Sequence, residues 1–256
     1  MLAIIGGSGL TTLSNLDVSH REVVRTPYGE PSGAVVFGQI CGQPAMFLPR
    51  HGYGHTIPPH MVNYRANIWA LHRNQASGII SVASVGGIRG DLEPGDIVLP
   101  TQIIDYTWGR KATFFDGGAT QVTHVDFTEP YDPALRDRIV AAARAIGVEL
   151  KDNAVYAATQ GPRLETAAEI NRLERDGADV VGMTGMPEAV LARELGIPYA
   201  AINVVANHAA GRGNSVHGIH FESLESVLQE SMGRVRSIIE RLVGCQDACR
   251  PLGMSV

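Results

Sequence analysis

The sequence predicts an α/β fold, a single domain over residues 1–256 with a central mixed, mainly parallel twisted sheet flanked by helices. Two observations predict it. Short apolar runs rich in β-branched residues recur along the chain, and segments of helical period separate many of them. This alternation is typical of parallel strands connected by helices. At 256 residues without a linker-like stretch, the chain is ordinary for one α/β domain, and about 244–256 should form a loose C-terminal tail.

The first half of the chain predicts a series of strands interrupted by one helix. In order, these are a strand at 2–5, hairpin strands at 34–40 and 45–48, a helix at 64–74, and strands at 79–85 and 97–100. Cys41 and Gly42 separate the two hairpin strands, as a tight turn requires. Residues 104–130 are polar, aromatic and glycine-containing, and such a long irregular excursion is expected to carry function or to cover a subunit boundary.

The second half predicts regular alternation. In order, these are a helix at 132–146, a strand at 154–158, a helix from 166, a strand at 179–182, a helix at 187–195, a strand at 200–205 and a long helix at 221–242. The first of these helices is the best defined, because Asp132 suits its N-cap, Pro133 its first position and Gly147 its end.

Composition limits the partners of the protein. Charged residues make up 18% and hydrophobic residues 45% of the chain, fewer charges than the usual quarter or so, which favours a homo-oligomer with covered apolar surface. The net charge of −5 and the lack of a basic run argue against nucleic acid as a partner. The N-terminal apolar stretch is too short for a signal peptide and no run of about 18 apolar residues exists, so we expect no membrane contact and a cytoplasmic location.

The three cysteines do not form a disulfide framework. Cys41, Cys245 and Cys249 are odd in number and unsuitably spaced, so we interpret them as free thiols. The alternative is a redox pair of Cys245 and Cys249, which are one helical turn apart.

Two loops in the first fifth of the chain are suited to an anion. The strand at 2–5 runs into Gly6-Gly7-Ser8-Gly9, whose main-chain N–H groups can converge on an anion, although a tight structural turn explains the glycines equally well. The strand at 45–48 runs into LPRHGYGHTIPPH, where Arg50 calls for an anionic partner if it is buried. The histidines at 51, 55 and 60 suggest a metal cluster as the rival, but no carboxylate or Cys accompanies them, so we expect no metal.

The strand predicted at 200–205 stops abruptly at Ala206, Asn207 and His208. Ligands lie beyond the carboxyl ends of parallel strands in open α/β sheets, so an amide at this point can bind a ligand. On this stretch alone a simple cap or turn, a common role for Asn, is the favoured interpretation, and ligand binding is the alternative.

Taken together, these stretches resemble the family of trimeric purine nucleoside phosphorylases and methylthioadenosine phosphorylases. The resemblance covers essentially the whole chain through the motifs IIGGSGL, LPRHGYGHTIPPH, SVGGIRGDLEPGD, FFDGG, EPYDP, QGPRLET, GMTGMPEAVLARE and YAAINVVANHAAG, in that order. It implies the nucleoside phosphorylase fold, a homotrimer, and phosphorolysis of a purine nucleoside with inorganic phosphate as co-substrate and no cofactor. Phosphate attacks C1′ while the purine leaves, which needs electrostatic stabilisation more than a covalent nucleophile.

The resemblance also implies where phosphate and sugar bind. The phosphate residues carried over by motif are Ser8, Arg50, His51, Ala83, Ser84 and Thr184. Arg50 would present its planar fork to the phosphate, and Met183 would lie against the ribose. Ala83 departs from relatives, which usually carry Thr or Asn there, so one side-chain hydrogen bond is missing.

The base site separates two branches of the family. Relatives that cleave 6-aminopurines have a Ser in the QGPR loop and two Asp residues at the strand end, whereas this chain has Leu164 and Glu165 in the loop and Asn207 and Ala209 at the strand end. These residues match the 6-oxopurine branch. Glu165 would accept from N1–H, and Asn207 would donate to O6 and accept from protonated N7.

The pocket around the 5′ carbon separates relatives that accept a 5′-hydroxyl from those that accept a 5′-methylthio group. Relatives that accept a 5′-hydroxyl have a His at the start of the last helix, where the alignment places Phe221, with Leu224 one turn later and His124 of a neighbouring subunit. This apolar wall favours a methylthio group, because an unpaired hydroxyl costs about 1 to 3 kcal/mol. A shift of one residue would place His220 in the pocket instead, and that alternative stays open.

The predicted activity is therefore phosphorolysis of S-methyl-5′-thioinosine, with Glu165, Asn207 and His51 as the catalytic residues. The alternatives are phosphorolysis of methylthioadenosine, phosphorolysis of inosine or guanosine, and a non-catalytic nucleoside-binding regulatory role. An intact phosphate site argues against the last of these.

Overall fold

The computed structural model describes residues 1–117, 121–219 and 221–244, apart from the side chains of 221–223. Its strands are β1 (Leu2–Gly6), β2 (Asp17–Glu22), β3 (Val35–Ile40), β4 (Gln43–Pro49), β5 (Gly78–Gly87), β6 (Ile97–Asp105), β7 (Lys151–Ala158), β8 (Val180–Gly182) and β9 (Tyr199–His208). Its helices are α1 (Tyr64–Arg73), α2 (Pro133–Ala145), α3 (Ala167–Arg175), α4 (Gly185–Glu194) and α5 (Phe221–Gly244). Short 3-10 turns lie at Pro59–Met61 and Gly213–Ser215.

Local sequence signals account for several of these boundaries. Asp132 accepts a hydrogen bond from the N–H of Leu135 as the N-cap of α2. Thr166 and Glu169 form a reciprocal capping box at the start of α3. Cys41 has a φ of 50° and Gly42 one of 77°, the left-handed pair that a two-residue hairpin turn between β3 and β4 requires.

Nine strands form one sheet in the order β2-β3-β4-β1-β5-β8-β7-β6-β9 within the described residues. β9 also pairs with β5, from Ile79 opposite Tyr199 to Gly87 opposite His208. The strands β5, β8, β7, β6 and β9 therefore close on themselves as a ring, and β1 to β4 extend from it.

The sheet is mixed, as expected, but the expectation that it is mainly parallel is wrong. Five pairings in the described chain are parallel and four are antiparallel. The antiparallel pairs arise where no helix separates the strands, as in β2 to β4, and where the ring closes between distant strands, as in β6 with β9. The alternation of strands and helices along the chain does not indicate hairpin pairing or the pairing of distant strands.

Helices cover the sheet on both faces. On one face α2 and α5 pack together and contribute Leu135, Ile139, Val235 and Ile239 to a buried cluster with β1. On the other face α1 and α4 pack together in a second cluster. No helix in the described part of the chain is both long and apolar enough to cross a membrane.

The parallel strands β1, β4, β5 and β9 all point the same way. Their carboxyl ends therefore meet at one edge of the sheet, and the glycine turn after β1, Arg50 after β4 and Asn207 near the end of β9 come together there.

Candidate active site

A cavity of about 750 Å³ opens at this edge, a volume suited to a small molecule. Twelve residues predicted from the sequence line it: Ser8, Arg50, His51, Ala83, Ser84, Leu164, Glu165, Met183, Thr184, Asn207, Ala209 and Leu224. Residues that are far apart in the chain thus converge on one space.

One predicted site residue does not line this cavity, and others lie outside the described residues. His124 is exposed and does not line it, so its role in a neighbouring subunit stays a prediction. Phe221 is the first residue of α5, but its side chain lies outside the described residues, as do His220, Cys245 and Cys249. The choice between His220 and Phe221 for the 5′ pocket therefore remains as the sequence left it.

Arg50 is wholly buried beneath the cavity and is paired with Glu188 of α4. Arg50 Nε donates to Glu188 Oε2 at 2.7 Å, and Nη2 donates to Oε1 at 2.8 Å. Nη2 also donates to Ser81 Oγ at 2.6 Å, and Nη1 donates to the main-chain oxygen of Val82 at 2.9 Å. The expectation that the planar fork faces phosphate needs correction, because the fork holds Glu188 and leaves one N–H of Nη1 for an anion.

Glu188 is the centre of this network, and sequence reasoning missed it. Its Oε1 also accepts hydrogen bonds from the hydroxyls of Ser81 at 2.7 Å and Tyr199 at 2.9 Å. Burial alone would lower the pKa of Arg50, but the charge and hydrogen bonds of Glu188 raise that pKa. The available signal was an acid in the otherwise apolar start of a helix, which must have a buried partner.

The glycine turn is explained by the same network. A Cβ at Gly7 would lie 2.6 Å from Arg50 Nη1 and 2.7 Å from the main-chain oxygen of Val82. Gly7 therefore lets the turn after β1 approach the guanidinium, and Ser8 follows it at the cavity wall.

His51 is neutral near pH 7 and presents an acceptor. Its Nδ1 lies 2.8 Å from the main-chain oxygen of Ile57, so Nδ1 carries the proton and donates it. Burial and then the charge of Arg50 lower the pKa of His51 to about 4. Since His51 lines the cavity, the unprotonated Nε2 is the ring atom left to accept a hydrogen bond from a ligand.

His55 lies beside His51 at the cavity wall. Their ring centroids are 4.4 Å apart, and His55 Nε2 lies 3.5 Å from Ser8 Oγ. Burial and Arg50 lower the pKa of His55 as well. Across the described ranges, no group of three or more His, Cys, Asp or Glu side chains is arranged to hold a metal ion.

Thr184 is held at the cavity by a tyrosine beneath it. The main-chain N–H groups of Thr184 and Gly185 point at the hydroxyl of Tyr156, at 3.2 and 3.4 Å. Tyr156 occupies the space a side chain would need at Gly182, where a Cβ would lie 2.1 Å from its hydroxyl. The Thr184 hydroxyl makes no capping bond to α4.

Glu165 is oriented by a residue that the sequence did not single out. Thr159 Oγ1 donates to Glu165 Oε1 at 2.7 Å, while its other acceptor, the main-chain oxygen of Gly182, is 3.3 Å away. Because a hydroxyl has one proton, the shorter bond takes it. Oε2 of Glu165 is left as an acceptor.

Asn207 makes a contact that suits a strand end and also lies where it could bind a ligand, a role that stays a prediction. Its Nδ2 donates to the main-chain oxygen of His208 at 2.6 Å, which fixes the end of β9. Asn207 also lines the cavity, and its amide retains Oδ1 and a second N–H. Ala209, next along the wall, offers only a methyl group.

The cavity wall near α5 is apolar. Leu224 lines the cavity as predicted, and Ile219 and Leu228 join it. Sequence reasoning missed these two because Ile219 lies in a polar loop and Leu228 is one of many apolar residues of α5.

Comparison with known proteins agrees with this geometry. The family model described as "Phosphorylase superfamily" matches residues 1–244. The chain belongs to the phosphorylase superfamily. It is 51% identical over 241 residues to a probable S-methyl-5′-thioinosine phosphorylase of Pseudomonas syringae pv. tomato, covering 94% of this chain and 97% of the relative.

Two further relatives differ in the substrate that their names state. The chain is 43% identical over 262 residues to a 6-oxopurine nucleoside phosphorylase of Pyrococcus furiosus, covering 97% of each chain. It superposes on methylthioadenosine phosphorylase from Schistosoma mansoni in complex with adenine with a TM-score of 0.92 at 31% identity, covering 97% of this chain and 92% of that one.

Proposed function

We propose that the protein catalyses phosphorolysis of S-methyl-5′-thioinosine to hypoxanthine and 5-methylthioribose 1-phosphate, in purine salvage. The observation that carries the proposal is the combination in one cavity of Glu165 and Asn207 with an apolar wall at Leu224. The relatives support it, because probable S-methyl-5′-thioinosine phosphorylases are about half identical to this chain over most of its length.

The base wall is complementary to a 6-oxopurine. Glu165 Oε2 accepts from N1–H, a free N–H of Asn207 donates to O6, and Asn207 Oδ1 accepts from N7 once that atom is protonated. Adenine has an acceptor where hypoxanthine has the N1–H donor, and a donor where hypoxanthine has the O6 acceptor. Its bare N1 would therefore face a carboxylate, and its amino group would face an amide donor. Sites built on buried hydrogen bonds reject such a mismatched analogue by roughly 10⁴-fold.

Phosphate binds at the other functional groups of the wall. Ser8, Thr184 and the free N–H of Arg50 donate to its oxygens, and Nε2 of His51 accepts from its remaining hydroxyl. An oxygen of HPO₄²⁻ bonds to C1′ as the C1′–N9 bond breaks. The bonding electrons go to the purine, and in the net reaction the phosphate proton goes to the purine too. The chain's residues hold the charges in place and form no covalent intermediate.

Further features of the proposal rest on the composition of the chain and on the family resemblance. The protein acts as a single-domain, cytoplasmic homotrimer that needs no cofactor or metal, with His124 of a neighbouring subunit closing the 5′ pocket. Phe221 and Leu224 face the methylthio group.

A 6-oxopurine nucleoside phosphorylase that acts on unmodified nucleosides is the second candidate, and the relative from Pyrococcus furiosus favours it.

Phosphate dependence tests the proposal against a binding role. Purified protein with S-methyl-5′-thioinosine should release hypoxanthine only when inorganic phosphate is present, with methylthioribose 1-phosphate in equal amount. Binding of the nucleoside without release of base at any phosphate concentration would instead identify a nucleoside-binding regulatory protein.

A further inference from the structure

Arg110 lies in the irregular segment after β6 and uses all five of its N–H groups on two loops. Nη2 donates to the main-chain oxygens of Thr159 at 3.2 Å and Gln160 at 2.9 Å, and Nε donates to Gln160 Oε1 at 3.3 Å. Nη1 donates to the main-chain oxygens of Met183 at 2.7 Å and Met186 at 2.6 Å. One guanidinium therefore connects the segment before Glu165 with the segment around Thr184.

The charge of Arg110 is directed at carbonyl groups. Among the residues that the structure describes, no carboxylate lies within ion-pair distance of it. Its guanidinium carbon lies 5.5 Å from the ring centroid of Tyr64. A planar fork with five fixed donors suits two pairs of carbonyl oxygens, whereas a lysine ammonium has three donors at one point.

The two loops that Arg110 connects are also in direct contact. The N–H of Thr159 donates to the main-chain oxygen of Gly182 at 2.8 Å. A Cβ at Gly161 would lie 2.5 Å from Met183 Sδ, so the loops touch where only glycine fits. The two loops therefore lie in contact, and the hydrogen bonds of Arg110 hold both of them beside that contact.

We propose that Arg110 is a positioning residue that fixes the distance between the loop that binds the purine and the loop that binds sugar and phosphate. Arg110 does not line the cavity itself. The inference rests on the proposed function, in which Glu165 contacts the base while Met183 and Thr184 contact ribose and phosphate. A nucleoside spans both loops, but free hypoxanthine contacts only the first, so a change in loop spacing affects the nucleoside more.

The test compares Arg110→Lys with a matched control, Arg65→Lys. Arg65 donates to the main-chain oxygen of Thr113 and to Asp116 in the same irregular segment but touches neither loop. The measurements are kcat/KM for S-methyl-5′-thioinosine at saturating phosphate and the inhibition constant of hypoxanthine. We expect Arg110→Lys to lower kcat/KM by about 10- to 100-fold, as an ångström-scale misplacement does, and to change the hypoxanthine constant by less than about threefold. Arg65→Lys should have nearly the same kcat/KM and the same inhibition constant of hypoxanthine as the parent protein.

Three results would overturn the inference. One is an Arg110→Lys variant with unchanged kcat/KM, and another is an equal loss for the nucleoside and for hypoxanthine, as general loosening would give. The third is a folded Arg110→Ala variant whose activity added guanidinium ion does not raise. If the parent protein neither cleaves the nucleoside nor binds hypoxanthine, the proposed function fails first, and that failure is visible without any variant.

Discussion

Arg50 and Glu188 form a two-point ion pair that is wholly buried, with Nε 2.7 Å from Oε2 and Nη2 2.8 Å from Oε1. The pair joins the loop after β4, which supplies cavity residues, to α4, whose N-cap residue Thr184 lines the cavity. Because Glu188 occupies the fork, the position of Arg50 does not depend on bound phosphate. The proposed phosphate site would therefore be formed in advance of its ligand.

Removing the carboxylate should destabilise the protein strongly. Glu188→Ala leaves the buried Arg50 unpaired, and breaking a buried pair in this way costs about 3–5 kcal/mol. This loss of stability is measured as the change in the free energy of unfolding in urea. Asp91→Asn is the control, since it breaks an exposed pair with Arg89 that should contribute no more than about 1 kcal/mol. Equal effects of the two substitutions would show that Glu188 is not what holds Arg50.

Removing the hydroxyl of Thr159 should weaken catalysis even when the shape of the side chain is kept. Thr159→Val deletes the hydrogen bond to Glu165, and a bond to a charged group contributes about 1.5–3 kcal/mol, or roughly 10- to 100-fold in kcat/KM. Thr159→Ser keeps the hydroxyl and should lie within a few-fold of the parent. The comparison is made by steady-state kinetics with S-methyl-5′-thioinosine. Equal kcat/KM values for Thr159→Val and Thr159→Ser would show that Glu165 does not need the hydrogen bond from Thr159.

Exchanging the amide of Asn207 should shift the preference for the base. Asn207→Asp replaces the O6 donor with an acceptor, so we expect 6-oxopurine turnover to fall about 100-fold or more and 6-aminopurine turnover to rise. Paired assays of methylthioinosine and methylthioadenosine give the ratio. A fall of both activities by the same factor would mean that Asn207 serves only its bond to His208.

The stability of the protein should depend on pH through His51. Its pKa is about 4 in the folded protein and near its ordinary value of 6.5 when unfolded. Between these values the unfolded chain binds the extra proton, so the free energy of unfolding should rise with pH from about 4 to 6.5 and then level off. His51→Gln should show a smaller slope in urea titrations over this window. An identical slope in both proteins would rule out His51 as its source.

Local signals in the sequence were sufficient for much of the fold, whereas most of the predicted site residues came from the family resemblance. Asp132 with Pro133 predicted the start of α2, and the glycine turn and Asn207 were recognised at strand ends because the chain changes composition abruptly there. These signals work because each depends on a few neighbouring residues.

Features that depend on distant partners could not be predicted in the same way. The sequence DVSHRE of β2 carries no apolar pattern, because all six residues are exposed and the strand exists only through pairing with β3. Closure of the ring by β6 and β9 and the pairing of Arg50 with Glu188 join residues more than 100 positions apart. No spacing rule in the sequence reports such contacts.

The most direct test of the account is a comparison of four nucleosides at saturating phosphate: S-methyl-5′-thioinosine, S-methyl-5′-thioadenosine, inosine and guanosine. We predict the highest kcat/KM for methylthioinosine, above inosine by about 10-fold or more from the apolar 5′ wall and above methylthioadenosine by roughly 10⁴-fold from Glu165 and Asn207. Preference for methylthioadenosine would contradict the assignment of the base wall. Preference for inosine or guanosine would contradict the apolar 5′ pocket.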